Sequence, residues 1–356
     1  MPLSRLAASL AVLAIGACAT GAPPTAAPSP TGETPTGSPA ATASPAGTTL
    51  TVYSGRSEEL VAPLLAQFTQ ATGIGVRVRY GDTAELAALL LEEGANSPAD
   101  VYFAQDAGAL GALAAAEMLT LLPEELLAKV DDGFHSPAGE WVGVSGRARV
   151  AVYDSRDLES DELPTSIIAF TDPQWRGRLG WAPTNGSFQA FVTAFRVLRG
   201  DAAARAWLEG IVANEPRRFD GNAQIVQAVA DEEIDVGFVN HYYLLRALDE
   251  QGPMFPARNH FFAADDPGAL INVAGVAILE TSTRQAAATR LIEFLLGPEA
   301  QAYFATETFE YPLVEGVEQP AGAPRLSEIG GPPIDLSDLS DLQGTLRLLT
   351  ETGVLP

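Results

Sequence analysis

The chain has 356 residues, 47% hydrophobic and 19% charged, which is long enough for two lobes of ordinary domain size and too apolar for a disordered polymer. Its formal charge of -24, from 45 acidic residues against 21 basic ones, excludes the basic face that nucleic-acid phosphates require and is compatible with cationic ligands. The single cysteine, Cys18, has no partner for a disulfide, so an exported domain has to rest on a large packed core.

In chain order, residues 1–18 (MPLSRLAASLAVLAIGAC) set Arg5 ahead of an apolar run that ends in small residues, the form of a secretion signal and too short for a good membrane span. The tetrad Ile15-Gly16-Ala17-Cys18 resembles the bacterial lipobox, whose cysteine is lipidated and becomes the first residue of the mature protein. Residues 19–47, rich in Pro, Thr, Ser and Ala, hold almost nothing that could form a core and read as a flexible tether.

From residue 48 strand and helix patterns alternate. TLTVYSG alternates as a strand, and the following stretch spaces Leu60, Leu64, Phe68 and Ala71 as one helical face, with Ser57 as N-cap, Glu58 and Glu59 in the first turn and Gly73 as the stop. VRVRYG and ADVYFAQ read as strands, TAELAALLLEEGA and AGALGALAAAEML as helices. A second series comprises the long strand VGVSGRARVAVYD, a helix-like DELPTSIIAFTD, the strand RLGWAP, the loop TNGS, and helices over FQAFVTAFRVLRG and AQIVQAVADEE. It closes with the strands IDVGFVN and NVAGVAILE and one helical stretch, TRQAAATRLIEFLLGPEAQAYFAT. The rhythm predicts an α/β fold of two lobes joined by long strands, with a ligand cleft at the loops that follow the strands.

Those loops hold the candidate chemistry. Asn185, Gly186 and Ser187 precede a helix whose free N–H groups favour an anion, and Asn222 stands similarly; equally, Ser187 and Asn222 serve as plain N-caps. Tyr242 and Tyr243 are adjacent where the strand IDVGFV meets the helix YYLLRALDE, with Asn240 as the expected N-cap. Neighbours on a strand point to opposite faces, so both phenols address one point only if the backbone turns there. Two phenol oxygens at one point suit a hard, highly charged cation such as Fe(III); the alternative is two aromatics packed under a lobe with their hydroxyls bonded to backbone.

The segments TVYSGR, SPADVYFAQ, WVGVSGRARVAVYD, PQWRGRLGWAPTNGSF, EIDVGFVNHYY, DPGAL and EYPL occur in the order found in the ferric-ion-binding proteins of bacterial ABC importers, which the chain resembles over nearly all of residues 49–315. The resemblance implies a type II periplasmic-binding-protein fold, with lobes at 48–148 plus 274–320 and at 149–273 plus 321–356. It implies Fe(III) as the transported ligand, held by Tyr242 and Tyr243. A synergistic anion, phosphate or carbonate, would lie near Asn185, Gly186, Ser187, Asn222 and Asn240, with Arg147 as a cleft arginine and Arg56 able to serve an anion bidentately. Some members of that family have a histidine at the position of Ser57 and a glutamate at that of Gln105, so two ligands are missing here. Asp106, one residue along, would need a changed backbone direction to take over; His241 is expected to point away, and His135 and His260 to be structural.

The expected function is an extracytoplasmic solute-binding lipoprotein, a monomer anchored to the outer face of the membrane through Cys18, that delivers iron to a permease and its ATPase. Closure would hinge near Ala148–Val152 and Asn272–Gly275. The competing reading is the same scaffold binding a phosphonate, a ferric chelate or another small anion. An envelope enzyme is not expected, because the chain has neither HExxH nor GxSxG and no recognisable Ser/His/Asp set.

Overall fold

A computed structural model of the chain describes residues 47–356. The export segment 1–18 with Cys18, and all but the last residue of the 19–47 tether, lie outside the described residues. Among the described residues no helix is long and apolar enough to cross a membrane.

The chain opens with three strand–helix units: β1 (Thr49–Ser54), α1 (Glu58–Thr72), β2 (Gly75–Tyr80), α2 (Thr83–Glu93), β3 (Val101–Ala104) and α3 (Ala107–Ala115). Parallel pairing of β1 with both β2 and β3 follows from the helical crossovers. α1 buries Val61, Leu64, Leu65 and Phe68 and ends where Gly73 turns left-handed at φ 72°, while Ala71 is exposed. The face is therefore rotated slightly from the Leu60–Ala71 stripe.

After the short α4 (Glu124–Leu127) comes β4 (Val142–Asp154), thirteen residues that are all buried. It serves both halves of the sheet. Val142 to Ala148 pair antiparallel with β9 (Ile271–Ile278), whereas Arg149 to Tyr153 pair with β7 (Val236–Asn240), and β8 (Ala257–His260) flanks the same end. Between these lie β5 (Leu179–Trp181), α5 (Gly186–Arg199), α6 (Asp201–Ala213), β6 (Arg217–Arg218), α7 (Asn222–Ala230) and α8 (Tyr242–Gln251). The strand order is β2-β1-β3-β9-β4-β7-β5-β6. α9 (Gln285–Leu295), α10 (Pro298–Thr306), β10 (Tyr311–Pro312), α11 (Leu326–Ile329) and α12 (Leu342–Glu351) complete the chain, with β10 pairing the first half of β4.

Several elements differ from the sequence reading, and β8 and α12 are among those with no counterpart in it. The helix-like segment at 161–172 holds only 3-10 turns, Ser160–Glu162 and Ile167–Thr171, because Pro164 drives Leu163 extended and Ser166 starts a new cap. The stretch after Thr283 breaks into α9 and α10 at Gly297, with Pro298 opening the second helix. α6 has no counterpart in the reading, although Ala204, Trp207, Leu208 and Ile211 bury at helical spacing.

The tail touches both halves. Its 336–340 turn lies against α3 so closely that a Cβ on Gly108 would stand 2.4 Å from the Leu339 carbonyl oxygen, and one on Gly111 2.3 Å from that of Ser337. α12 rests on α5, where the Thr193 and Thr345 hydroxyls meet at 2.7 Å and Arg196 pairs Asp341 at 2.9 Å. Residues 321–356 thus do not belong wholly to the second half. Gly111→Ala would gain about 1 kcal/mol in helix propensity, but a backbone oxygen cannot move aside as a side-chain tip can. We expect a net loss of about 1–3 kcal/mol in urea unfolding; a stabilised variant would contradict this packing.

Candidate metal and anion site at the strand crossing

A cavity of about 160 Å³ lies where β4 changes partners. One wall comes from the loops after β1, β2 and β3: Gly55, Asp82, Thr83, Gln105 and Asp106. Arg147, Arg149, Leu270 and Asn272 form its floor on and beside the crossing strands. The facing wall carries Asn185, Gly186, Ser187 and Phe191 of the α5 start and Asn240, Tyr242 and Tyr243 of the β7–α8 junction. At roughly five waters' worth of liquid volume, it suits an ion with small ligands better than a large organic solute.

The junction supplies the turn that two convergent phenols need. β7 runs buried to Asn240, and His241 then adopts helical angles (φ -55°, ψ -38°) so that Tyr242 and Tyr243 open α8. The residue capping position is thus His241, not Asn240. The two phenol rings stack with centroids 4.3 Å apart and planes 29° from parallel, and the Arg246 guanidinium lies 4.9 Å above Tyr242. Burial pushes the Tyr242 phenol well above its ordinary value; Tyr243 and Glu310 add to this and Arg147 opposes it. The Tyr242 phenol is therefore protonated at neutral pH when no metal is bound.

His241 itself is fully buried and turned from the cavity. Its Nδ1 accepts the Ala148 N–H at 3.2 Å, and its ring stacks on Tyr311 at 4.3 Å. Burial pulls it down to about 4, against the opposing pull of Glu310, so it is a neutral brace. His135 and His260 bond the carbonyls of Ser136 and Pro164, and among the described residues no three His, Cys, Asp or Glu side chains cluster as a metal site.

A buried ionic network stands behind the first wall. Arg56 Nη2 donates to Glu310 Oε1 at 2.8 Å and Nη1 to Gln105 Oε1 at 2.7 Å, while Ser145 Oγ donates to Glu310 Oε2 at 2.5 Å. Arg147 Nη2 donates to the Gln105 carbonyl oxygen. Arg149 differs: Nη2 reaches the Phe238 carbonyl at 3.0 Å, but Nε and Nη1 are buried with no hydrogen-bond partner among the described residues. Its guanidinium lies over Phe191 and Phe188, at 5.2 and 5.7 Å. Burial pulls it down to about 9, opposed by Tyr243 and Tyr242, which leaves it charged at pH 7. A buried cation with unused donors is costly unless something anionic meets it.

At the α5 start the cap is Asn185 and not Ser187: its Oδ1 accepts the Ser187 N–H at 3.0 Å and the Ser187 hydroxyl at 2.6 Å. Asn222 follows Gly221, the cap of α7, and is itself 1% exposed and off the cavity wall. It braces the loop by donating to Ser187 Oγ at 3.1 Å.

The structure thus brings together Gln105, Arg147, Asn185, Gly186, Ser187, Asn240, Tyr242 and Tyr243. It does not bring Arg56, which is spent on Glu310 and Gln105, nor Ser57, an exposed α1 cap without a side-chain bond, nor Asn222. Arg149 and Asp82 were not singled out in the sequence, yet line the wall. Arg149 carried a signal, since it lies two residues from Arg147 on a strand and shares its face. Asp106 also lines the cavity, with its backbone extended (φ -143°, ψ 155°).

Comparison with known proteins gives a consistent picture. A family model described as bacterial extracellular solute-binding protein matches residues 84–329. The chain is 34% identical over 316 residues to the major ferric iron-binding protein of Neisseria meningitidis serogroup A, covering 88% of this chain and 95% of that protein. It is 30% identical over 317 residues to the Fe(3+)-binding periplasmic protein of Serratia marcescens, covering 88% and 93%. Iron-bound HitA from Pseudomonas aeruginosa superposes with a TM-score of 0.79 at 33% identity, covering 86% of this chain and 99% of that one.

Proposed function

The chain belongs to the bacterial extracellular solute-binding protein family, with the ferric-iron-binding proteins, and from that premise we propose that it carries Fe(III) in the cavity at the strand crossing. The fold is the type II periplasmic-binding-protein fold, and the protein is a transport component, not an enzyme. Tyr242 and Tyr243 hold the metal as phenolates, and a synergistic anion, phosphate or carbonate, completes the site. The observation that carries this reading is the pair of stacked phenols opening α8 into a cavity that also receives Arg149 with two unused donors.

Charge balance favours the same arrangement. Fe(III) with two phenolates keeps one positive charge, and Arg147 and Arg149 add two more. A buried site with that excess is relieved by an anion, for which the N–H groups of Gly186 and Ser187 at the start of α5 are also available. Coordination displaces phenol protons, so affinity should rise with pH and iron should leave on acidification. Metal-free protein given one equivalent of ferric citrate is expected to retain one iron per chain through desalting and to release protons in weakly buffered solution. A chain that retains no iron would remove the proposal.

Arg149→Met tests the anion half. Removing a buried cation with unused donors should stabilise the metal-free protein by about 1–3 kcal/mol, while weakening iron retention in phosphate or bicarbonate. A variant that is less stable, or that holds iron unchanged, would assign Arg149 to structure alone. The same unused donors favour a second reading, a small anion as the principal ligand, which saturable phosphate binding without iron by calorimetry would support.

We further infer that the half built from 48–148 with 274–320 and the half built from 149–273 close on the ligand by bending near Ala148–Val152 and Asn272–Gly275, with the 321–356 tail in contact with both. Identical scattering profiles with and without iron would count against that motion. Delivery is to a membrane permease with its ATPase, from a monomer tethered outside the membrane by a lipidated Cys18.

A further inference from the structure

We propose that Asp106 is the carboxylate that the first half of the sheet presents to the metal, a role that rests on the iron reading above. Gln105 cannot fill it. Its Oε1 is held at 2.7 Å by Arg56 Nη1, and Arg56 is fixed in turn by Glu310 at 2.8 Å. What Gln105 can offer the cavity is its amide N–H group, a donor that a cation does not accept.

Asp106 is placed differently. It follows β3 on the cavity wall opposite Tyr242 and Tyr243, and the hydrogen bond that caps α3, from the Ala109 N–H at 3.2 Å, goes to Oδ1. Oδ2 is left for a ligand, and a carboxylate oxygen is a hard donor that matches Fe(III) as the phenolates do. Asp82 shows a similar arrangement, capping α2 through Oδ1 from Ala84 at 2.9 Å and Glu85 at 3.3 Å. It is the more exposed of the two, so it adds negative potential at the cavity mouth without needing to touch the metal.

With a dianion as the bound anion, the charges close with such a group. Fe(III), two phenolates and one carboxylate sum to zero, and Arg147 with Arg149 then match a dianion, leaving a neutral buried assembly. Without Asp106 the same set retains a positive charge away from water, which is costly.

The test uses the full chain loaded with Fe(III), in which the tyrosinate-to-iron absorption band reports the metal and citrate competes for it. Asp106→Asn keeps a good helix cap, so the metal-free fold should melt as the wild type does; Asp106→Ser, also a cap, serves if the asparagine variant does not fold. Either is expected to lose iron at lower citrate, by at least the roughly 10- to 100-fold that loss of an outer partner typically costs, with the band kept but moved to longer wavelength as the weaker donor leaves the iron more electron-poor. Asp82→Asn should shift neither by as much. Unchanged competition and band position in both Asp106 variants would overturn the assignment while leaving the iron reading intact. Absence of any band in the wild type would remove both.

Discussion

Tyr242→Phe and Tyr243→Phe are each expected to weaken iron retention by more than the roughly 10- to 100-fold that loss of an outer partner typically costs, and the double variant to retain none. Each change deletes one anionic oxygen from the metal and leaves a ring of the same shape, so the 4.3 Å stack and the packing of α8 should persist. Metal-free stability is the internal control. Burial already keeps the Tyr242 phenol protonated, so its loss removes no charge from the metal-free protein. Dialysis against graded citrate, followed by iron assay, measures the effect. Wild-type retention in either single variant would restrict the metal to the other phenol.

Glu310→Ala should produce the largest loss of stability. Its carboxylate is fully buried, accepts from Arg56 at 2.8 Å and from Ser145 at 2.5 Å, and lies within the field of Arg147. Removing it leaves Arg56 as a buried, uncompensated cation, for which a cost of about 3–5 kcal/mol is expected. Arg56→Met/Glu310→Leu, which removes both charges, should cost much less. The pH dependence has a definite sign. Burial raises the Glu310 carboxyl, but Arg56, Arg147 and Ser145 together outweigh it and hold the group below its ordinary 4.5. Its contribution is therefore full above that value and lost as pH falls through the lower, folded one. Urea unfolding at pH 7 and at pH 3.5 would show it; a Glu310→Ala loss under about 1 kcal/mol would contradict the network as a stabilising unit.

Much of the fold is legible because local chemistry and tertiary demand agree. β4 reads as one long strand, and its buried thirteen residues justify that reading at both ends. The tyrosine pair was legible for a more specific reason, since two adjacent phenols make sense at one point only across a strand-to-helix turn. What escaped was what depends on long-range partners. Arg56 looks like a cleft cation in sequence, yet Glu310, 254 residues away, turns it inward. Arg149 reads as a strand residue, and only the apolar faces of Phe188 and Phe191 reveal it as a cation with donors to spare. The caps moved by one residue, from Asn240 to His241 and from Asn222 to Gly221, and such shifts decide which side chain meets the cavity and which braces it.

The most direct test of the account is the visible spectrum of metal-free protein titrated with ferric citrate. Phenolate coordination predicts a charge-transfer band that grows to one equivalent of iron and disappears in the Tyr242→Phe/Tyr243→Phe variant. No band at stoichiometric iron, with the protein folded and anion present, would contradict it.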